Sequence, residues 1–478
     1  MLLGVGMLLL VLGAKLGLIH FYGTDQPFAD QWAAEGVGFL QAPLHGGLNW
    51  ASFFWPHGEH RPAVTRFITR GLVVANDGQW DCYVEIVFNL SIYAAFLVVA
   101  WRLVLKVATG TWLAAVAMFM AILFAAPCAY ENLLWGFQSQ FVFLLFCGLL
   151  HVYGTTRSMK IDGVWWIGQL AGFCGLFSIA AGVMSAGLLV VLAVIEIVRG
   201  RRDRWAGWTL GLNTMLLIYG LWLLPEGVTS AGHRWEHLFP AFERTAYLLS
   251  WPLGGGWWWI LIQAPCIGSL VLWFLRPMKE SDDRLVALIG CWIFLVAFAV
   301  AYGRILTPET IGVRYYDVLL TGVFANGLSL VTLLRHPRGR LGPWLKTAAF
   351  VWIIVIGLGY LKFNTPSFSG AMLRQQKIYA VEQTQIVRKF MASDDVNLMQ
   401  EFENRTHRFP HFQLTLALLR DKQVQSLLPP SLSSDTRIGP LSQIAPLISQ
   451  SWIWWMGSGL LLFLLAVVAG RRQCRDWD

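Results

Sequence analysis

Two carboxylates close behind the first hydrophobic run are the residues best placed to do chemistry. That run, about 18 apolar residues, is long enough to cross a bilayer. It leads into Gly23-Thr24-Asp25-Gln26-Pro27-Phe28-Ala29-Asp30-Gln31-Trp32. Asp25 and Asp30 therefore fall at a membrane–water boundary, where a long extramembrane segment begins. A base acting on the head group of a lipid-linked molecule has to sit at that height, because the tail stays in the bilayer. A carboxylate so placed can take the proton of an acceptor hydroxyl. Both aspartates also suit a capping role: Asp25 stands ahead of Pro27, and Asp30 falls in the first turn of an expected helix, where carboxylates are favoured. Asp30 is the first candidate base and Asp25 the second.

Three further groups share that side of the chain. His57-Gly58-Glu59-His60-Arg61, with Arg66 beyond it, offers guanidiniums that stay charged and fork onto phosphate oxygens. His60 can donate or titrate, and Glu59 can support a helix start. His57 and His60 lack the spacing of a zinc-binding helix. A short turn, Tyr130-Glu131-Asn132-Leu133-Leu134-Trp135-Gly136-Phe137-Gln138, sets polar groups at bilayer depth, where they face a cavity or a partner. Glu131 is a second candidate acid there, and Gln138 a binding residue. The stretch from Arg304 to Asp317 brings Arg304, Glu309, Arg314, Tyr315 and Tyr316. Two arginines in an outer loop run against the positive-inside trend. A lipid phosphate or an Arg314–Asp317 pair three residues apart would compensate. Lys15 reads as a snorkelling side chain, and His233, Arg234, Glu236 and His237 as a solvated loop.

The elements that hold these residues follow from composition. The 478-residue chain is 56% hydrophobic and 13% charged, and its mean hydropathy is +0.54. Soluble domains carry about 25% charged residues, so the chain reads as an all-α polytopic membrane protein. The 25 Trp and 30 Phe suit interfacial belts. The +8 charge lies mostly in short loops and does not point to nucleic acid. Seven scattered cysteines make neither a disulfide framework nor a zinc spacing. Without a basic start or a cleavage site, the N-terminal run reads as a retained anchor.

Apolar runs predict about twelve spans: 2–19, 84–105, 110–128, 138–154, 163–180, 182–199, 206–224, 254–275, 285–303, 316–335, 345–361 and 451–470. Lysines and arginines follow every even-numbered span, which predicts that both termini are cytoplasmic. Three longer segments, about 20–83, 225–253 and 363–450, then lie outside. Within the first, interfacial helices are expected over about 28–40 and from Pro62 onward, the latter with Val64, Phe67, Ile68 and Leu72 on one side and Arg66 and Arg70 on another. The 363–450 insert is expected to fold as a small helical body. This divides the chain into a membrane module at 1–362, the insert at 363–450, and a last span with its tail at 451–478.

The chain resembles the GT-C superfamily of polytopic glycosyltransferases, which use polyprenyl- or dolichyl-phosphate sugars, and is similar in particular to bacterial inner-membrane members. The matching pieces are Asp30-Gln31-Trp32, His57-Gly58-Glu59-His60-Arg61, Glu131-Asn132-Leu133-Leu134-Trp135-Gly136-Phe137-Gln138 and Arg314-Tyr315-Tyr316. The resemblance covers most of the membrane region. It implies a GT-C-like bundle and a catalytic acid in the first outer loop, which maps onto Asp30, or onto Asp25 in a shifted register. The family often shows adjacent acids where this chain has Asp30-Gln31. It further implies an inverting enzyme that takes a sugar from a polyprenyl-phosphate carrier in the membrane lipid and passes it to a cell-envelope acceptor, on the outer face of the inner membrane. Its expected phosphate and sugar contacts are Glu59, His60, Arg61, Arg66, Gln138, Arg304, Arg314 and Tyr315. No metal ligand set is evident and no cofactor is demanded, with a divalent metal left open. Nothing fixes the oligomeric state. The competing classes are a flippase for lipid-linked sugars, an O-antigen ligase or polymerase with essential residues in the late loops, and a scaffold without catalysis.

Overall fold

Backbone groups inside a bilayer find no water, so a spanning chain satisfies them within helices. The computed structural model describes residues 1–46, 50–225, 235–275, 281–305, 312–335, 342–433 and 438–475. Its regular structure is entirely helical, apart from one isolated bridge between His57 and His60. His233, Arg234 and Glu309 lie outside the described residues.

Among the described residues, 10 helices are long and apolar enough to cross a membrane: Leu2–Tyr22, Cys82–Val107, Thr111–Leu134, Gly136–Thr156, Ala180–Val198, Trp258–Leu275, Arg284–Gly303, Val313–Arg335, Gly342–Phe363 and Trp452–Ala469. The protein is therefore a polytopic helical protein of multi-pass membrane type. About twelve such helices were expected, and two of the expected runs fall short. The run at 163–180 breaks into the 13-residue helix Gly163–Gly175 and a following turn. Thirteen residues reach only about 20 Å. The run at 206–224 forms the 19-residue helix Arg204–Trp222, which is less apolar because it carries polar residues such as Thr209 and Asn213, both buried. There Thr209 accepts from the Trp165 indole, and Asn213 donates to Gln169. Polar contacts thus hold these two helices together.

The first and last spans pair closely. Glycine permits it: a Cβ on Gly13 would lie 2.7 Å from the Met456 backbone nitrogen, and one on Gly459 would lie 2.7 Å from that of Leu10. Small residues at such crossings let helix backbones approach where no hydrophobic effect drives association. Lys15 does not snorkel. It is buried and donates to the Ala126 carbonyl at 2.9 Å, facing Asp317. Asp317 in turn accepts from Asn132 at 2.9 Å. The i,i+3 pair with Arg314 considered above is thereby replaced by a tie among three spans.

The long segments at 20–83 and 363–450 fold on each other. The helix Ala63–Ala75 begins after Pro62 as expected, but its polar side, Thr65, Arg66 and Thr69, is buried, while Phe67 and Val74 are exposed. A helix with apolar residues outward and polar ones inward suits an apolar surrounding. The insert at 363–450 is helical, with Ser369–Ser393 its longest element. Its core is shared: Val387, Phe390, Met399, Phe402, Leu418 and Leu419 pack in one cluster with Trp32, Phe53, Val73 and Trp80 of the 20–83 segment.

Candidate functional site

Asp30 lies in a turn entered through Ala29 at φ +46°. Its carbonyl accepts from Ala33 and Ala34 as the chain winds into the π-helix Trp32–Gln41. Such i→i+5 turns are rare and recur at functional positions. His57 is pinned by a two-way backbone pairing with His60, 2.8 and 3.1 Å, across a tight turn with Gly58 at φ +54°. Its Nε2 lies 4.0 Å from Asp30 Oδ2. That exceeds a hydrogen bond and leaves room for a shared hydroxyl. Burial pushes the Asp30 carboxyl up, but the imidazole of His57 and the charges of Arg314 and His411 outweigh it and hold Asp30 below the ordinary carboxylate range. Asp30 is accordingly ionised at neutral pH.

Arg314 links the candidates. It sits in the turn Val313–Tyr315, within electrostatic reach of Asp30, Glu59 and Glu131. Its backbone also binds Glu131, and its carbonyl accepts from Asn132 at 2.7 Å. The guanidinium Nε is buried without a hydrogen-bond partner among the described residues. Glu59 pairs with Arg304 at 3.6 Å. Burial pushes Glu59 up, against the pull of Arg304 and Arg314. His60 accepts from the Ala180 amide at 3.2 Å through Nδ1. Burial, then the nearby Arg304, His57 and Arg314, pushes its pKa down to about 3. His60 is therefore a neutral ring that fixes this turn, not the titrating group considered above.

The remaining candidates have other contacts. Asp25 accepts from the Ser431 amide at 3.3 Å and lines a separate cavity of about 400 Å³ with Asp81, Tyr83, Lys377 and Ser442. Asp81 caps the helix Cys82–Val107, and burial, helped by the Asp25 charge, pushes it up to about 6 against its Ser442 and amide contacts. Arg61 donates to the carbonyls of Leu223 and Phe54, and Arg66 to those of Ser52, Phe53 and Trp55. Both cations are turned toward the protein backbone. Gln138 is buried, and Tyr315 is buried edge-on to Phe141.

Two parts of the site were not picked out from sequence. Gln31 donates through Nε2 to both Glu35 and Glu85, each at 2.8 Å. Thr69 donates to Glu35 at 3.0 Å and the Trp80 indole to Glu85 at 3.1 Å. This buried network braces the residue next to Asp30, and burial pushes Glu35 up to about 7 despite its hydrogen bonds from Gln31 and Thr69 and the charge of Arg66. A carboxylate in the first turn of a span, as Glu85 is, was its one sequence signal. The insert supplies the second part. His411 reaches Asp30 and His57, with one ligating atom from each of the three within 4.8 Å of the others. Nearby, Arg408 is buried over the Phe28 ring at 4.3 Å and bonds Gln383 and Gln376. The cluster His407-Arg408-Phe409-Pro410-His411 is visible in the sequence, but nothing local ties it to Asp30.

Compared with known proteins, the chain matches no family model, and no curated protein is significantly similar to it.

Proposed function

We propose that the protein is an inverting glycosyltransferase of GT-C type, moving a sugar from a polyprenyl-phosphate carrier to a cell-envelope acceptor at the outer face of a bacterial inner membrane. The observation that carries this reading is Arg314: a half-buried guanidinium with an unpartnered Nε, facing the ionised Asp30 at the rim of the spans. A buried donor without a partner is costly, and a phosphate oxygen would satisfy it. In this scheme Asp30 takes the acceptor hydroxyl's proton as that oxygen bonds the anomeric carbon. The carbon–phosphate-oxygen bond breaks on the opposite face, and Arg314, with Arg304 beside it, holds the departing phosphate. Phosphate leaves without a strong general acid. His60 contributes position only.

One observation favours a second reading. The insert brings His411 to Asp30, and an O-antigen ligase-like enzyme would draw essential groups from its late loops. The two readings differ in donor: a monophosphate-linked sugar for the first, a diphosphate-linked glycan for the second. Transfer of labelled sugar from each donor class by purified protein separates them. A protein active with neither would count against both.

A further inference from the structure

We propose that Asp30, His57 and His411 form a divalent transition-metal site of the zinc type that fastens the insert to the first outer segment. This goes beyond the transfer reaction, since it needs no substrate. Each of the three residues offers one ligand atom, and all three atoms lie within 4.8 Å of one another. In a tetrahedral site with ligand bonds of about 2.0–2.1 Å, ligand atoms lie about 3.4 Å apart. The Asp30–His57 distance is 4.0 Å, so that edge closes by only about 0.6 Å to reach this geometry. The remaining edges close by less than about 1.5 Å, within the swing of an exposed histidine such as His411.

The backbone under each ligand is fixed. His57 is held by its pairing with His60, and Asp30 by the amides of Ala33 and Ala34. The His411 carbonyl accepts from the Thr415 amide at 3.0 Å, at the start of the helix Phe412–Arg420. Ligation requires both imidazoles to be neutral. Two imidazoles and one carboxylate suit zinc or cobalt better than magnesium or calcium, which prefer all-oxygen shells. Three protein ligands leave a fourth position open at the site, where a hydroxyl would be acidified.

The sequence distance explains why spacing did not reveal the site. Asp30 and His57 belong to the first outer segment and His411 to the insert, so the ligands meet only once their shared core has formed.

The test is metal binding by the full-length protein, purified without a histidine tag and stripped with chelator. Zinc titration with elemental analysis should give one equivalent per chain, and Co²⁺ should give the visible absorption of a four-coordinate site. Zinc should raise the unfolding temperature of the wild type. His411→Ala and His57→Ala should each lose stoichiometric binding and the thermal shift, while metal-free His411→Ala should unfold at the wild-type temperature. His45→Ala is the control: His45 is another exposed outer histidine, engaged with Asp421 at 2.6 Å, and its loss should leave zinc binding intact. Absence of stoichiometric zinc on the wild type, or equal binding by His411→Ala, would overturn the proposal. Neither result depends on sugar transfer, so failure here is separable from failure of the glycosyltransferase reading.

Discussion

The carboxylate network behind Asp30 makes stability depend on pH in a calculable way. Glu35 is fully buried and is raised from its ordinary value of 4.5 to about 7, burial outweighing its hydrogen bonds. A raised acid binds its proton more tightly in the folded chain than in the unfolded one. Below pH 4.5 both states are protonated and nothing is lost. As pH rises from 4.5 to 7 the unfolded chain gives up the proton first, and stability falls. At 1.36 kcal/mol per pH unit, the full interval corresponds to about 3 kcal/mol. Glu35→Gln keeps the shape and the Thr69 contact but removes the ionisation, so it should remove the Glu35 share of this slope. With an unfolding entropy of about 2.1 cal/mol/K per residue, a chain of this size loses roughly 1 °C per kcal/mol. Tryptophan fluorescence during thermal unfolding in detergent, from pH 4 to 8, reads the effect. The wild type should lose about 3 °C relative to Glu35→Gln between pH 4.5 and pH 8. Parallel curves for the two proteins would refute the reasoning, since they would mean that Glu35 does not change protonation on folding.

Two further outcomes follow from the same geometry. Arg314→Gln should cut transfer from a lipid-phosphate sugar by about 100-fold or more, on the scale of losing one preorganised charge-stabilising group. Arg314→Lys should recover only part, because an ammonium cannot fork onto phosphate, and steady-state kinetics on both variants checks this. Phe390→Ala should cost about 3–5 kcal/mol and should loosen the 20–83 segment together with the insert, because Phe390 packs in their common cluster. Limited proteolysis followed at sites in both segments would show them opening together; protection of 50–80 while the insert is cleaved would contradict the shared core.

Much of the helical framework was legible from the chain because the signal is strong and local. Long apolar runs produced ten helices capable of spanning among the described residues, and Pro62 marked the start of Ala63–Ala75. What failed had physical causes. The run at 163–180 is apolar enough, but its helix stops at Gly175, and hydropathy does not see the stop. Periodicity found the two faces of Ala63–Ala75 without telling which medium each meets, so Arg66, expected to contact phosphate, is instead buried among carbonyls. Lys15 was read as snorkelling because its partners, Ala126 and Asp317, lie far along the sequence. The site was legible in the same partial way. Asp30, Glu59, Glu131, Arg304 and Arg314 stood out by type and loop position, and they share one electrostatic neighbourhood. Asp25 shared the same loop signal yet faces another cavity. His411 and the Gln31–Glu35–Glu85 brace needed tertiary contacts that no spacing encodes.

The central claim is that Asp30 is the base of a lipid-phosphate-dependent sugar transfer. Purified wild type and Asp30→Asn would be given a panel of radiolabelled polyprenyl-phosphate sugars with native lipid extract as acceptor, with and without chelator. The account predicts transfer by the wild type and its loss in Asp30→Asn, with both proteins unfolding at similar temperatures once stripped of metal. Equal transfer by the two proteins would contradict it.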